Sequence, residues 1–179
     1  MNNKTELRTI AKNIRQNLDI DTISTQIITN IRAMTIYQNA SHIMIYYPIK
    51  NEINLLPLLT DKKTFFIPRI TGEEIECCEF KENNKLTISK FKIPEPSSKC
   101  PPADPQILDL IIVPALAANR HGYRLGYGKG FYDRFLKTVR AKTILAIPEE
   151  LIFDNIHEEE HDVACDIVIT QKKASFERG

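Results

Sequence analysis

Apolar residues at the start of the chain recur at helical spacing. Leu7, Ile10, Ala11, Ile14 and Leu18 share one stripe and predict a helix over 4–18, with Lys4, Arg8, Lys12 and Arg15 mostly off it. Ile23, Ile27, Ile31 and Met34 predict a second helix over 22–34, capped by Asp21. The texture then changes. A β-branched and aromatic run at 42–47, ended by Pro48, predicts a buried strand. A short helix fits 54–61, with Pro57 tolerable only in its first turn. Strands are predicted at 64–67, stopped by Pro68, and at 75–80. The Lys-, Ser- and Pro-rich stretch 83–105 reads as a loop. Residues 108–113 are apolar throughout, as in a strand covered on both faces. A helix over 131–140, a strand at 143–147 and a last short strand at 167–170 complete the pattern, with 171–179 as a frayed polar tail.

Strands alternating with helices predict an α/β fold, a single three-layer α/β/α domain over 1–179 with a largely parallel sheet. No internal repeat is visible, and neither side of the 83–105 stretch looks complete without the other.

Net charge is +1, with acids and bases interspersed, so the basic excess of a nucleic-acid binder is absent. The apolar runs are too short to span a membrane, and the polar N-terminus lacks the apolar stretch of a signal peptide, so a cytoplasmic protein is expected. Cys77, Cys78, Cys100 and Cys165 form no C-x-x-C pair and read as reduced, structural thiols.

The segment that carries chemistry is Gly122-Tyr123-Arg124-Leu125-Gly126-Tyr127-Gly128-Lys129-Gly130-Phe131-Tyr132-Asp133-Arg134. Alternating glycines let backbone amides approach a ligand, and with the free N–H groups of a helix start they form a phosphate cradle. Arg124 and Lys129 add positive charge, and Asp133 offers a hard oxygen of the kind magnesium takes beside phosphates. Gly130 stands where a Walker A motif needs Ser or Thr, and Phe131 where the dinucleotide fingerprint needs its third glycine. ATP and magnesium binding at 122–133 is the expectation; a flexible loop capping a helix is the plainer alternative.

With Leu110-Ile111-Ile112-Val113-Pro114 before it, this segment resembles the hallmark of the 5-formyltetrahydrofolate cyclo-ligase (5,10-methenyltetrahydrofolate synthetase) family. Lys4-Thr5-Glu6-Leu7-Arg8, Asn51-Glu52-Ile53, Phe66-Ile67-Pro68-Arg69, Ile93-Pro94-Glu95-Pro96 and His161-Asp162-Val163 with Asp166 are similar to further family elements, in the same order. The resemblance implies ATP binding by Lys4, Arg8, Arg124, Leu125, Gly126, Tyr127, Gly128, Lys129, Gly130, Phe131 and Tyr132. It implies folate binding by Tyr47, Glu52, Tyr127, Gly128, Lys129, Gly130 and Phe131. Magnesium falls to Asp133 and Asp162, and catalysis to Arg124 and Lys129.

The implied reaction is ATP-dependent cyclisation of 5-formyltetrahydrofolate to 5,10-methenyltetrahydrofolate through a phosphorylated formyl intermediate. The partners are small molecules only, and a monomer is expected. Lys4 and Arg8 alone would read as a solvated basic face, Glu52 as a surface glutamate, Asp133 as an acid in a helix's first turn, and Tyr47 and Phe131 as core. Ala118, Asn119 and Ile70 depart from the family's usual residues, with expected effects on folate affinity or polyglutamate preference.

Two rival readings stand beside this one. A nucleotide-binding regulatory module would keep the loop without turnover. A zinc hydrolase would use His157 and His161, because His157-Glu158-Glu159-Glu160-His161 fits the H-E-x-x-H pattern, which works only on a stable helix.

Overall fold

The computed structural model describes residues 3–81 and 86–177. The first helix, α1 (Lys4–Gln16), starts at a capping box. The Asn3 side chain accepts from the backbone N–H groups of Thr5 and Glu6, and Glu6 reaches back to the N–H of Asn3. It stops two residues short of the predicted end. The second, α2 (Ile20–Ala33), also starts two residues early, because Asp19 rather than Asp21 takes the cap by accepting from the Thr22 N–H. A five-residue helix, α3 (Thr35–Asn39), was not foreseen.

Among the described residues eight strands form one sheet, in the spatial order Lys173–Glu177, Ile167–Thr170, Lys142–Ala146, Leu110–Val113, His42–Met44, Thr64–Thr71, Glu74–Glu79 and Pro102–Ala103. In chain order these are β1 (His42–Met44), β2 (Thr64–Thr71), β3 (Glu74–Glu79), β6 (Pro102–Ala103), β7 (Leu110–Val113), β10 (Lys142–Ala146), β11 (Ile167–Thr170) and β12 (Lys173–Glu177). The central pairings, from β11 across β10, β7 and β1 to β2, are parallel; the outer ones are antiparallel. Helices α1 and α4 (Phe131–Leu136) share one apolar core with one face, through Leu7, Ala11, Phe135 and Leu136 packed with Ile111 and Val113. The other face holds α2 and α3, through Ile27, Ile31 and Tyr37 with Leu110 and Ile112. The three-layer expectation is met, and every residue of β7 is buried.

Several boundaries moved for identifiable reasons. Strand β2 runs through Pro68 because its partner β1 has already ended opposite Phe66; the missing N–H therefore breaks no ladder bond on that side. The supposed loop contains a hairpin, β4 (Leu86–Ile88) with β5 (Pro94–Pro96), while 83–85 lie outside the described residues. The supposed tail is β12, paired antiparallel with β11; 178–179 lie outside the described residues. Helix α4 is six residues long against ten predicted, ending where the Thr138 hydroxyl turns back onto the Phe135 carbonyl. The 54–61 helix is a 3-10 turn, Leu56–Thr60, with proline in its first turn. All four cysteines are unbridged, and Cys77, Cys78 and Cys165 are buried.

Candidate active site

The chain leaves β7 through a small antiparallel pair, β8 (Ala117–Ala118) and β9 (Arg124–Leu125), then makes the glycine loop and enters α4. Gly122 is where this path is tightest. Its φ is +87°, and a Cβ there would lie 2.3 Å from the Cys165 carbonyl oxygen. Its own carbonyl accepts from the Cys165 N–H at 2.9 Å. The crossover from β10 to β11 is thereby docked along β9, which brings Asp162 and Val163 to the loop.

Arg124 sits at this junction. Its guanidinium donates to Asp133 Oδ1 and to the Val163 carbonyl, both at 2.7 Å, and the side chain is only 4 % exposed. Asp133 Oδ1 also accepts from the Val163 N–H at 3.2 Å, one residue from Asp162. Asp162 Oδ2 accepts from Lys4 Nζ at 2.9 Å, and the same ammonium meets Glu159. Burial works against the Asp162 charge, but the Lys4 ammonium and the Glu159 N–H more than offset it and hold the carboxyl below the usual aspartate range. From α1, Arg8 Nε donates to the Gly126 carbonyl at 2.9 Å. Lys4 and Arg8, one turn apart, thus both clamp the glycine loop and its neighbour.

The opposite wall follows β1. Glu52 is buried, at 5 % exposure. Its Oε2 accepts from the Ile49 N–H at 3.0 Å, and its Oε1 from the Tyr127 hydroxyl at 2.7 Å. Burial pushes its carboxyl above the ordinary range despite these bonds. A surface glutamate is thereby ruled out. Tyr46 is buried, its hydroxyl donating to the Ile53 carbonyl, and both Tyr46 and Tyr47 line the cavity.

All these side chains face one cavity of about 1070 Å³. Lys4, Arg8, Tyr47, Glu52, each residue from Arg124 to Asp133, and Asp162 line it. No residue singled out from the sequence for ATP, folate or metal lies elsewhere. Of the three departures from the family pattern only Ile70 reaches the wall. Ala118 and Asn119 are buried behind it, where Asn119 Oδ1 accepts from the His121 and Tyr123 N–H groups. They shape the turn into β9 and do not line the cavity.

Several wall residues escaped sequence reasoning. Glu95 on β5 is a buried carboxylate, raised by burial and held by the Ile70 N–H and Ser89. Phe91 in the hairpin meets Phe131 edge to face at 5.6 Å between ring centres. Arg134 donates to the Glu73 and Lys129 carbonyls and ties the loop to the β2–β3 turn. Behind the wall, Arg15 is buried and donates to the Ala115 and Leu116 carbonyls. Arg15, which the sequence places mostly off the apolar stripe, is buried because the 115–116 segment closes over it, and Phe91-x-Ile93 inside a polar stretch was the available signal for the hairpin.

Two expectations change. With α4 so short, its dipole adds little to an anion site, so a phosphate cradle there would have to rest on the loop amides and cations. The segment 157–161 contains no helix, and His161 pairs with Glu159 and Asp162, so the zinc-hydrolase arrangement is not formed. Among the described residues no three His, Cys, Asp or Glu side chains cluster as a metal cage. No described helix is long and apolar enough to cross a membrane.

An open α/β sheet whose loops close a basic, glycine-walled cavity around buried carboxylates is the architecture of a small-molecule enzyme. The profile of the 5-formyltetrahydrofolate cyclo-ligase family matches residues 1–171, and the chain belongs to this family of ligases. A 5-formyltetrahydrofolate cyclo-ligase of Mycolicibacterium smegmatis is 41 % identical over 91 residues, spanning 49 % of this chain and 47 % of that protein. The mouse cyclo-ligase is 28 % identical over 151 residues, 74 % of each chain. The NMR structure of Aquifex aeolicus 5,10-methenyltetrahydrofolate synthetase superimposes with a TM-score of 0.85 at 30 % identity, covering 96 % of this chain and 91 % of that one. A Mycoplasma pneumoniae synthetase shares the fold, with a TM-score of 0.76 at 21 % identity over 95 % of this chain and 99 % of that one.

Proposed function

We propose that the chain catalyses the ATP- and magnesium-dependent cyclisation of 5-formyltetrahydrofolate to 5,10-methenyltetrahydrofolate, releasing ADP and phosphate. The observation that carries this reading is one shared cavity, lined by the cations and glycines of the loop and by buried Glu52. Lys4, Arg8 and the loop from Arg124 to Tyr132 would hold ATP. Glu52, Tyr47 and residues Tyr127 to Phe131 would hold the folate, the Glu52 carboxylate accepting hydrogen bonds from the pterin amino group and ring N–H.

Two carboxylates without a third suit magnesium, which keeps waters and takes its remaining oxygens from phosphates. Asp133 and Asp162 would hold it, each exchanging part of its ion pairing with Arg124 or Lys4 for the metal. Bound there, magnesium would neutralise phosphate charge.

The formyl oxygen attacks the γ-phosphorus, the bond from that phosphorus to the bridging oxygen of ADP breaks, and the formyl carbon is left activated by its phosphorylated oxygen. The neighbouring folate nitrogen attacks that carbon; its proton and then phosphate leave, closing the methenyl ring. Such transfer needs positioning and charge neutralisation more than a dedicated base. Lys129, which makes no ion pair among the described residues, supplies charge to the transferring group. Arg124 works from inside the wall, fixing Asp133 against the crossover. The enzyme is read as a cytosolic monomer acting on these two small molecules.

The test is absorbance of the methenyl product on mixing protein, 5-formyltetrahydrofolate, magnesium and ATP. An ATP-dependent rise, lost in Asp133→Ala, is expected. Folded, ATP-binding protein that gives no rise would overturn the reading in favour of a regulatory module.

A further inference from the structure

None of the four cysteines lines the cavity, and two of them meet outside it. Cys78 on β3 is fully buried, whereas Cys100, just before β6, is half-buried. Strand β6 pairs antiparallel with β3, Pro102 opposite Cys78, which returns the chain to β3 and brings Cys100 alongside. The Cys78 and Cys100 side chains share a hydrogen bond, and Cys100 Sγ lies 3.8 Å from the Glu79 carbonyl oxygen. Cys77, next to Cys78 on the strand, points to the opposite face of the sheet. Cys165 lies under the glycine loop, its N–H donating to the Gly122 carbonyl.

Arg69 holds this pair in place. From β2 its guanidinium donates to the Ser97 carbonyl and, at 2.9 Å, to the Cys100 carbonyl, while pairing with Glu76 at 2.7 Å. The Cys100 N–H donates to the Ser97 carbonyl at 2.9 Å, so 97–100 is a closed turn fixed to the sheet. Burial raises the Cys78 thiol to about 11, and the Arg69 charge works against that rise. Cys100 is the thiol of the two that solvent reaches, and Cys78 stands behind it. An accessible thiol backed by a second one is the arrangement of an attacking and a resolving cysteine.

We propose that Cys78 and Cys100 form a reversible redox site that reacts with small-molecule disulfides. The Cys100 thiolate attacks one sulfur of the small disulfide, whose S–S bond breaks, and one small thiolate leaves. The Cys78 thiol gives its proton to solvent, and its sulfur attacks Cys100 Sγ and expels the second small thiolate. Two protein thiols are thereby oxidised to one disulfide, and the small disulfide is reduced to two thiols. The bond closes the chain from 78 to 100 into a loop that contains the β4–β5 hairpin, with Phe91 and Glu95 of the cavity wall. It staples that wall to β3 and touches no reacting atom. An excess of small thiol reverses it.

The experiment incubates the folded chain with 2-hydroxyethyl disulfide, unfolds it, blocks the remaining thiols with N-ethylmaleimide, and weighs the intact chain and its peptides. Wild type should retain two blockable thiols of its four, yield a linked Cys78–Cys100 peptide, and recover all four after dithiothreitol. Cys78→Ala should stop at the mixed disulfide on Cys100, and Cys100→Ser should lose no thiol. Cys77→Ala should oxidise as wild type does. Because Cys100 is half-buried, its serine variant remains folded and carries the comparison even where Cys78→Ala does not. Oxidised wild type should melt about 5–10 °C above the reduced chain, since the closed loop restricts the unfolded state, and Cys100→Ser should show no shift. Four blockable thiols after incubation, a bridge between two chains, or a bridge through Cys77 or Cys165 overturns the site. An unchanged Tm in a chain that carries the Cys78–Cys100 bond overturns the staple.

Discussion

The Tyr127 hydroxyl donates to Glu52 Oε1 at 2.7 Å, joining the glycine loop to the turn after β1 across 75 positions of sequence. In the proposed reaction the bond would link what the loop holds to what Glu52 holds. It also partners a carboxylate that burial would otherwise leave poorly solvated.

Glu52→Gln is expected to raise the KM for the folate about tenfold or more, by removing a charged acceptor, with little change in KM for ATP. Its stability effect has the opposite sign. Because burial raises the folded pKa of Glu52, its ionisation costs the folded state stability as pH rises from the ordinary glutamate range through the raised value. The variant should therefore be more stable than wild type at pH 8, and the difference should vanish on acidification to below the unfolded pKa. Denaturant titrations at several pH values measure this.

Lys4→Met should lower stability by about 1 kcal/mol at neutral pH, the pair being partly exposed, and weaken ATP binding. Asp162, depressed in the folded state, contributes stability above its unfolded pKa and loses it as pH falls through the folded one. The acid limb of the stability profile should be shallower in Lys4→Met than in wild type. An identical limb would mean that Lys4 is not what depresses Asp162.

Asp133→Asn leaves the buried Arg124 guanidinium without its counter-charge, at an expected cost of about 2 kcal/mol, with activity reduced roughly 10- to 100-fold. The double variant Asp133→Asn with Arg124→Met should recover part of the stability and none of the activity. Thermal unfolding beside the methenyl assay separates the two effects.

Gly122→Ala forces a Cβ against the Cys165 carbonyl at a φ of +87° and should cost about 3 kcal/mol, a fall in Tm of about 6–12 °C. Gly72→Ala is the control. Its φ is +63°, but nothing lies within 4 Å of the added Cβ, so about 1 kcal/mol is expected. Equal costs for both would deny the close approach of the crossover to β9.

By itself the sequence determined the helices α1 and α2, the apolar run of β7 and the alternation that makes the sheet parallel, because periodicity and caps are local properties. It also determined which side chains could carry chemistry: Lys4, Arg8, Glu52, Arg124, Lys129, Asp133 and Asp162 were all visible as residues, through the family's motifs. Tertiary structure decided what depends on a distant partner. Strand β12 and the β4–β5 hairpin exist through pairing, which a polar stretch does not announce. Pro68 is tolerated inside β2 because β1 ends early. Glu52 became a buried, raised carboxylate and Arg15 a buried cation because surfaces from other segments close over them, and the free energy of a charge is set by its surroundings rather than by its residue type.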